Sequence, residues 1–239
     1  MEYKLWALLL LIVDRDGLRR PWPGTQSCVL DAGAHDGSTA VMLVNALQRL
    51  NAKVYALEPL TRNAEVARQR AKNLYNLFVY RLALGEVHGS TGTYPSEYET
   101  KRSSGMLQIA RWRGKDNHGN VTYPITTIDT LFGTERACTL VLAHLDLEGH
   151  EAEALRGANR TLWRDRPVVT VETFPTSMPK WHAEVMTLLE ALDYEIYTVD
   201  ERVGWPFDGR NHVAIPREDR HLRYILDSFF AFSPRRKPA

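Results

Sequence analysis

The stretch from residue 28 to residue 58 constrains this chain more than any other. A short apolar run over residues 28–31 gives way to the turn Ala32-Gly33-Ala34-His35-Asp36-Gly37. Residues 38–50 then carry the 3.6-residue spacing of a helix, with Ser38 as N-cap, and residues 53–57 form a second apolar run ending at Glu58-Pro59. Strand, turn, helix and strand in that order make a βαβ unit, whose strands are parallel and joined by a right-handed crossover. The alternation continues with a helix over 62–76 and a strand over 77–84 closed by Gly85. It resumes with a strand over 139–147, a helix over 151–163, a strand over 168–172 and a helix over 181–192. Strands over 195–199 and 213–215 close the pattern. The expected class is α/β, three layers deep, with helices on both faces of a mostly parallel sheet.

Residues 86–124 break the rhythm with five glycines and only short apolar runs, which predicts an inserted hairpin and long loops. Loops of that length in a compact domain are usually functional, so the acceptor side of any site is expected there. Residues 1–24 read as an N-terminal helix and linker: 5–13 is apolar throughout, and Pro21-Trp22-Pro23-Gly24 ends it. Nine apolar residues are too few for a bilayer, which needs about 20, and no cleavage site follows. A packing helix is expected, with a membrane-surface contact as the lesser reading; the same helix offers a homodimer contact. Residues 233–239 read as a solvated tail, and the whole of 1–239 as one domain in the cytoplasm.

Thirty basic and 29 acidic side chains leave a net charge of +1, without the basic excess of a phosphate-binding nucleic-acid protein. Cys28 and Cys138 are the two cysteines, too few for a disulfide framework and without metal-site spacing; two buried free thiols in a reducing compartment are expected.

The glycine turn predicts a ligand. Gly33 and Gly37 let the backbone turn tightly, and the following helix presents free N–H groups. Ala34 and His35 stand where a dinucleotide site would place its second glycine, so a nucleoside without a pyrophosphate fits better. Adenosylmethionine is such a ligand, with Asp31 holding its ammonium through water and Glu58 accepting from both ribose hydroxyls. Taken singly, the glycines suit a plain strand-to-helix turn and Glu58 a solvated strand end; taken in order, they favour the nucleoside.

A third set of motifs carries a resemblance. Thr126-Thr127-Ile128-Asp129-Thr130-Leu131 is followed by Asp146-Leu147-Glu148-Gly149-His150-Glu151, then Gly157-Ala158, then a strand ending at Glu172. In this order, over residues 29–172, the chain resembles the FkbM family of class I S-adenosylmethionine-dependent methyltransferases. The resemblance implies a Rossmann-like sandwich with seven strands, an antiparallel last strand, and methyl transfer to a hydroxyl of a small metabolite such as a sugar or polyketide. On this reading Asp146, His144, Glu148 and Glu172 are catalytic. Asp31, Gly33, Ala34, His35, Gly37, Glu58, Pro59, Ala83 and Asp146 hold S-adenosyl-L-methionine, and Ser103, Ser104 and Glu151 meet the acceptor. His144 departs from the family, which commonly has Lys there; it is either a substitute base or a buried, hydrogen-bonded histidine. His150 beside three carboxylates raises a divalent metal, but acids at a helix start more often bind backbone, so none is expected. Arg111, Trp112, Arg113, Lys115, Trp181, Trp205 and Phe207 are weaker acceptor candidates. A nicotinamide-dependent dehydrogenase and a non-catalytic nucleoside-binding module are the competing readings.

Overall fold

The computed structural model describes residues 3–96, 120–133, 138–199 and 209–230. Its main sheet has seven strands in the order β3-β2-β1-β7-β8-β10-β9. These are β1 (Gln26–Ala32), β2 (Lys53–Leu57), β3 (Leu77–Tyr80), β7 (Cys138–Leu145), β8 (Val168–Glu172), β9 (Tyr194–Val199) and β10 (Asn211–Pro216). β10 runs antiparallel to both of its neighbours, and the pairs from β3 across to β8 are parallel. The mostly parallel sheet with an antiparallel last strand is thus present. Strands β7, β8 and β10 are wholly buried because helices cover both faces, which explains their near-continuous apolar runs.

Helices α1 (Tyr3–Asp14), α2 (Ser38–Ala46) and α8 (Arg220–Phe230) bury their apolar residues in the core on one face. On the other face lie α4 (Ile128–Phe132), α5 (Glu151–Arg156), α6 (Asn159–Asp165) and α7 (Pro179–Ala191). Helix α3 (Thr61–Ala71) packs on α2 and β3. Leu5, Leu8, Leu9 and Ile12 of α1 are buried within the chain itself, so the apolar side that suggested a partner is occupied, and Leu10 is its exposed leucine. No described helix is long and apolar enough to cross a membrane.

Three expectations are corrected, and one helix is added. The strand expected over 77–84 divides: β3 joins the main sheet, whereas β4 (Ala83–Leu84) pairs with β6 (Asn120–Thr126) in a second, three-stranded sheet completed by β5 (Thr91–Pro95). β5 and β6 are the expected inserted hairpin. The helix expected over 151–163 breaks into α5 and α6 at Gly157, where any side chain would overlap the Gly85 carbonyl oxygen. Helix α8 lies beyond the last expected strand, over residues for which the sequence predicts no element. Cys28 and Cys138, expected as free thiols, are joined by a disulfide between β1 and β7 that spans 110 residues of sequence. Their Cα atoms lie 5.8 Å apart, inside the range a disulfide bridges. Accordingly, the unreduced chain denatured in a thiol-reactive dye should show no free thiol, and two after reduction; two reactive thiols before reduction would contradict the bond.

Candidate functional site

The strand order reverses between β1 and β7: β1 leads outward through β2 to β3, while β7 leads the other way to β8. Open α/β sheets bind ligands at such a point, beyond the carboxyl ends of the strands. Here four neighbouring strands each bring an acid to that edge: Glu58 follows β2, Asp31 lies near the end of β1, Asp146 follows β7, and Glu172 ends β8. A cavity of about 280 Å³ opens there, lined by Gly33, His35, Glu58, Pro59, Ala83 and Asp146 among others.

The turn is built to bring backbones together. The Gly33 and Ala34 N–H groups both donate to the Leu57 carbonyl, at 2.9 and 3.0 Å, and the Asp146 N–H donates to the Ala32 carbonyl at 3.0 Å. Gly33 has φ +84°, and a Cβ on it would overlap the Asp146 carbonyl oxygen. Only glycine permits that approach. His35 follows at φ 49°, and its N–H donates to Glu58 Oε2 at 2.9 Å. The other oxygen of Glu58 accepts from the Leu60 N–H at 2.9 Å. Glu58 is thus pinned facing the cavity by both of its oxygens, with the Asn63 side chain as a further hydrogen-bond partner.

These acids share too little water. Burial, followed by the charges of Asp146 and Glu58, pushes Asp31 from its usual 3.8 to about 8. Asp31 is 1% exposed, and neither of its carboxyl oxygens has a hydrogen-bond partner. Burial also pushes Glu58 up to about 7, against the pull of its backbone N–H partners. Glu148 rises to about 7 through burial and the nearby Asp146, offset in part by Arg210. Glu148 sits at φ 52°, in a turn with Gly149 at φ 105°, which carries its carboxylate into the cavity. Asp146, Glu148 and Glu172 each offer a carboxylate oxygen within 4.8 Å of the others, the one such grouping among the described residues with a spacing that would suit a divalent ion.

Other predicted residues lie elsewhere. His144 is buried and does not line the cavity: its Nδ1 shares a 2.7 Å hydrogen bond with Thr170 Oγ1, its ring lies 5.3 Å from that of Trp6, and burial lowers its pKa. The strand ends at Leu145, so strand alternation does not carry on from His144 to Asp146 and Glu148. Glu151 is fully buried; its two oxygens accept from the Leu147 and Gly149 N–H groups at 2.6 and 3.1 Å, clamping the turn that presents Glu148. It supports the Glu148 turn from beneath and does not line the cavity. Gly37 lacks a side chain for a packing reason, since a Cβ there would come 2.9 Å from that of Ala67 on α3. Ser38 begins α2 without capping it; the Asp36 carboxylate accepts the Ser38 N–H instead, at 3.0 Å. Ala34 is buried outside the cavity lining. Ser103, Ser104, Arg111, Trp112, Arg113, Lys115, Trp205 and Phe207 lie outside the described residues.

The Thr-x-Asp and Gly-Ala motifs prove architectural. Thr127 caps α4 by accepting the Thr130 N–H, and the Asp129 carboxylate accepts from the Thr161 and Arg160 N–H groups that open α6. The Asp129 N–H donates to the Gly157 carbonyl at 2.8 Å, tying the two motifs together. Residues not anticipated from sequence include Asn63, Leu84, Tyr123 and Ile125 in the cavity wall, and Arg210 beside Glu172. Tyr123 and Ile125 belong to the second sheet, whose position over the cavity is a tertiary fact with no local signature.

Comparison with known proteins agrees with this geometry. A solved FkbM methyltransferase from Methylobacillus flagellatus superimposes with a TM-score of 0.53 at 16% identity, over 90% of this chain and 55% of that one. This chain therefore spans just over half the length of that protein, and the likeness supports the fold. A Geobacter metallireducens precorrin-6y C5,15-methyltransferase matches with a TM-score of 0.42 and 12% identity, over 86% of this chain and 87% of that one. An Aeropyrum pernix fibrillarin, solved with bound S-adenosyl-L-methionine, matches at 0.44 and 14%, over 86% and 72%. No curated protein matches the sequence. The profile described as methyltransferase FkbM domain matches residues 31–196, a span running from the acid of β1 into β9. By that match over most of its length, the chain belongs to the FkbM family of S-adenosylmethionine-dependent methyltransferases.

Proposed function

We propose that the protein transfers a methyl group from S-adenosylmethionine to a hydroxyl oxygen of a small, polyhydroxylated metabolite. The observation that carries this reading is the run of acids along one sheet edge, with Gly33 between Glu58 and Asp146 in a single cavity. The residues fit the cofactor. Gly33 lets the turn close against the Asp146 carbonyl and line the cavity with bare backbone, and Glu58 presents its carboxylate there to the ribose hydroxyls. The orphaned carboxyl oxygens of buried Asp31 and the unpartnered Oδ1 of Asp146 favour a cationic ligand above them. The apolar cavity wall of Leu60, Leu84 and Ile125 suits a flat base. When bound, the cofactor supplies an electrophilic methyl on a sulfonium.

The chain's part is to align the acceptor, remove its proton and keep water out. Glu148, with a pKa of about 7, faces the cavity and is the residue suited to take that proton. Glu172 and Asp146 accept from neighbouring hydroxyls, which favours a polyol over an apolar acceptor. Calorimetric titration tests the cofactor: one equivalent each of adenosylmethionine and adenosylhomocysteine should bind, and NAD should not. Turnover on a library of hydroxylated acceptors, followed by adenosylhomocysteine formation, should give methoxy products by NMR. Binding of NAD alone, or products methylated at carbon or nitrogen, would refute the reading.

A further inference from the structure

The acids of the sheet edge are closely spaced, and the guanidinium of Arg210 meets one of them, Glu172. Arg210 immediately precedes β10, whose first residue, Asn211, pairs with Glu172 across the antiparallel ladder. The Thr173 N–H donates to the Arg210 carbonyl at 2.8 Å, so the backbone of Arg210 is held beside the end of β8. From there its Nη1 reaches Glu172 Oε1 at 3.1 Å. Its guanidinium carbon lies 5.7 Å from the centre of the Phe174 ring, and that ring stacks on Trp181. The planar fork is therefore held between a carboxylate on one side and an aromatic face on the other, a position suited to Arg more than to Lys. Its charge also acts on Glu148, the member of the group that carries the acceptor's proton in the reading above. Three carboxylates within 4.8 Å repel one another unless a proton or a cation is shared among them.

We propose that Arg210 is a positioning residue: its guanidinium is the cation that gathers Glu172, Glu148 and Asp146 at the acceptor end of the site, in the place a divalent ion would otherwise take. The inference rests on the methyl-transfer reading for the word acceptor alone, since the arrangement of charges stands without it. The trio then has a fixed geometry before any acceptor arrives, with Glu172 held against Arg210. Loss of the guanidinium leaves the same oxygens at a spacing that a hard divalent cation accepts.

Manganese(II) binding measures this directly, by electron paramagnetic resonance of the free ion with adenosylhomocysteine present. The parent should bind Mn²⁺ no more tightly than millimolar. R210Q should bind one ion at least about tenfold more tightly, and R210Q/E172Q should lose that gain. R210K keeps a positive charge and should bind Mn²⁺ less tightly than R210Q, though it replaces the stacked fork less fully than arginine. A merely structural arginine would not create a cation site when removed. R210M carries the same test should R210Q fail to fold, with adenosylhomocysteine binding as the check on folding. Tight Mn²⁺ binding by the parent that E172Q abolishes would overturn the proposal, as would variants that fold but gain nothing. Failure of the methyl-transfer reading shows separately, as absence of adenosylmethionine binding by the parent.

Discussion

Asp31→Asn is expected to stabilise the ligand-free protein at pH 8 while weakening its hold on adenosylmethionine. Asp31 is a buried carboxyl whose oxygens have no partner, with its pKa raised from 3.8 to about 8. Below pH 3.8 it is protonated in both the folded and the unfolded chain and has no effect on their balance. Between 3.8 and about 8 the unfolded chain releases a proton that the folded chain retains. Stability therefore falls as pH rises, by about 1.4 kcal/mol per pH unit for this one group. By pH 8 the cost is on the order of 3–5 kcal/mol. Asparagine does not titrate, so D31N escapes it. In thermal melts the variant should gain roughly 6–15 °C over the parent at pH 8 and almost nothing at pH 4. The same substitution removes a negative charge close to Asp146 and Glu58, both in the cavity lining. Affinity for the cationic cofactor should fall about tenfold, and affinity for neutral-sulfur adenosylhomocysteine by less. At pH 7 the parent should also release close to one proton on binding, read from the buffer dependence of the calorimetric heat, and D31N should not. A difference in stability that is the same at pH 4 and pH 8 would remove Asp31 as its cause.

Gly33→Ala should do the reverse and lose both stability and ligand. Two penalties combine there. An L residue at φ +84° costs about 1–2 kcal/mol, and the new Cβ meets the backbone carbonyl of Asp146, which no rotamer change can move aside. Relief requires β1 and β7 to separate at their carboxyl ends, breaking the 3.0 Å bond from the Asp146 N–H to the Ala32 carbonyl. A loss beyond about 3 kcal/mol is expected, together with adenosylmethionine binding too weak to measure. Gly24→Ala supplies the comparison. Gly24 also has positive φ, at +80°, but nothing lies within 4 Å of where its Cβ would be. G24A should pay the conformational penalty alone and bind the cofactor as the parent does. Equal melting temperatures for the two variants would mean that the approach of Gly33 to Asp146 does not matter.

Which roles were legible depended on how local they were. The βαβ unit, the turn at Gly33 and the acid at Glu58 follow from neighbouring residues, and each lies at the cavity. Strand alternation would put His144 on one face with Asp146 and Glu148, but it holds only as far as the strand runs; β7 stops at Leu145, and His144 turns toward Thr170 and Trp6. Glu151 looked like a site acid because it belongs to the Asp146 to Glu151 run. A carboxylate two residues after Gly149, at the start of α5, is nonetheless well placed to accept backbone N–H groups, and this one does. The Asp129 and Gly157 motifs were visible for the same reason that they are structural: each depends on a specific backbone contact. Arg210 carried no such mark. Trp205 and Phe207 just before it are acceptor candidates, but no motif includes Arg210 itself, and it acquires a role only because β10 enters the sheet antiparallel to β8 and starts at the edge where β8 ends.

Sequence alone determined the layered α/β fold, the order in which most strands and helices occur, and the place where a nucleoside could approach the backbone, because periodicity and glycine are properties of adjacent residues. Tertiary structure decided which acids meet, which of them lose their water, and which cation stands among them. Those outcomes depend on distances between strands far apart in the chain, and desolvation has no meaning until the strands are packed.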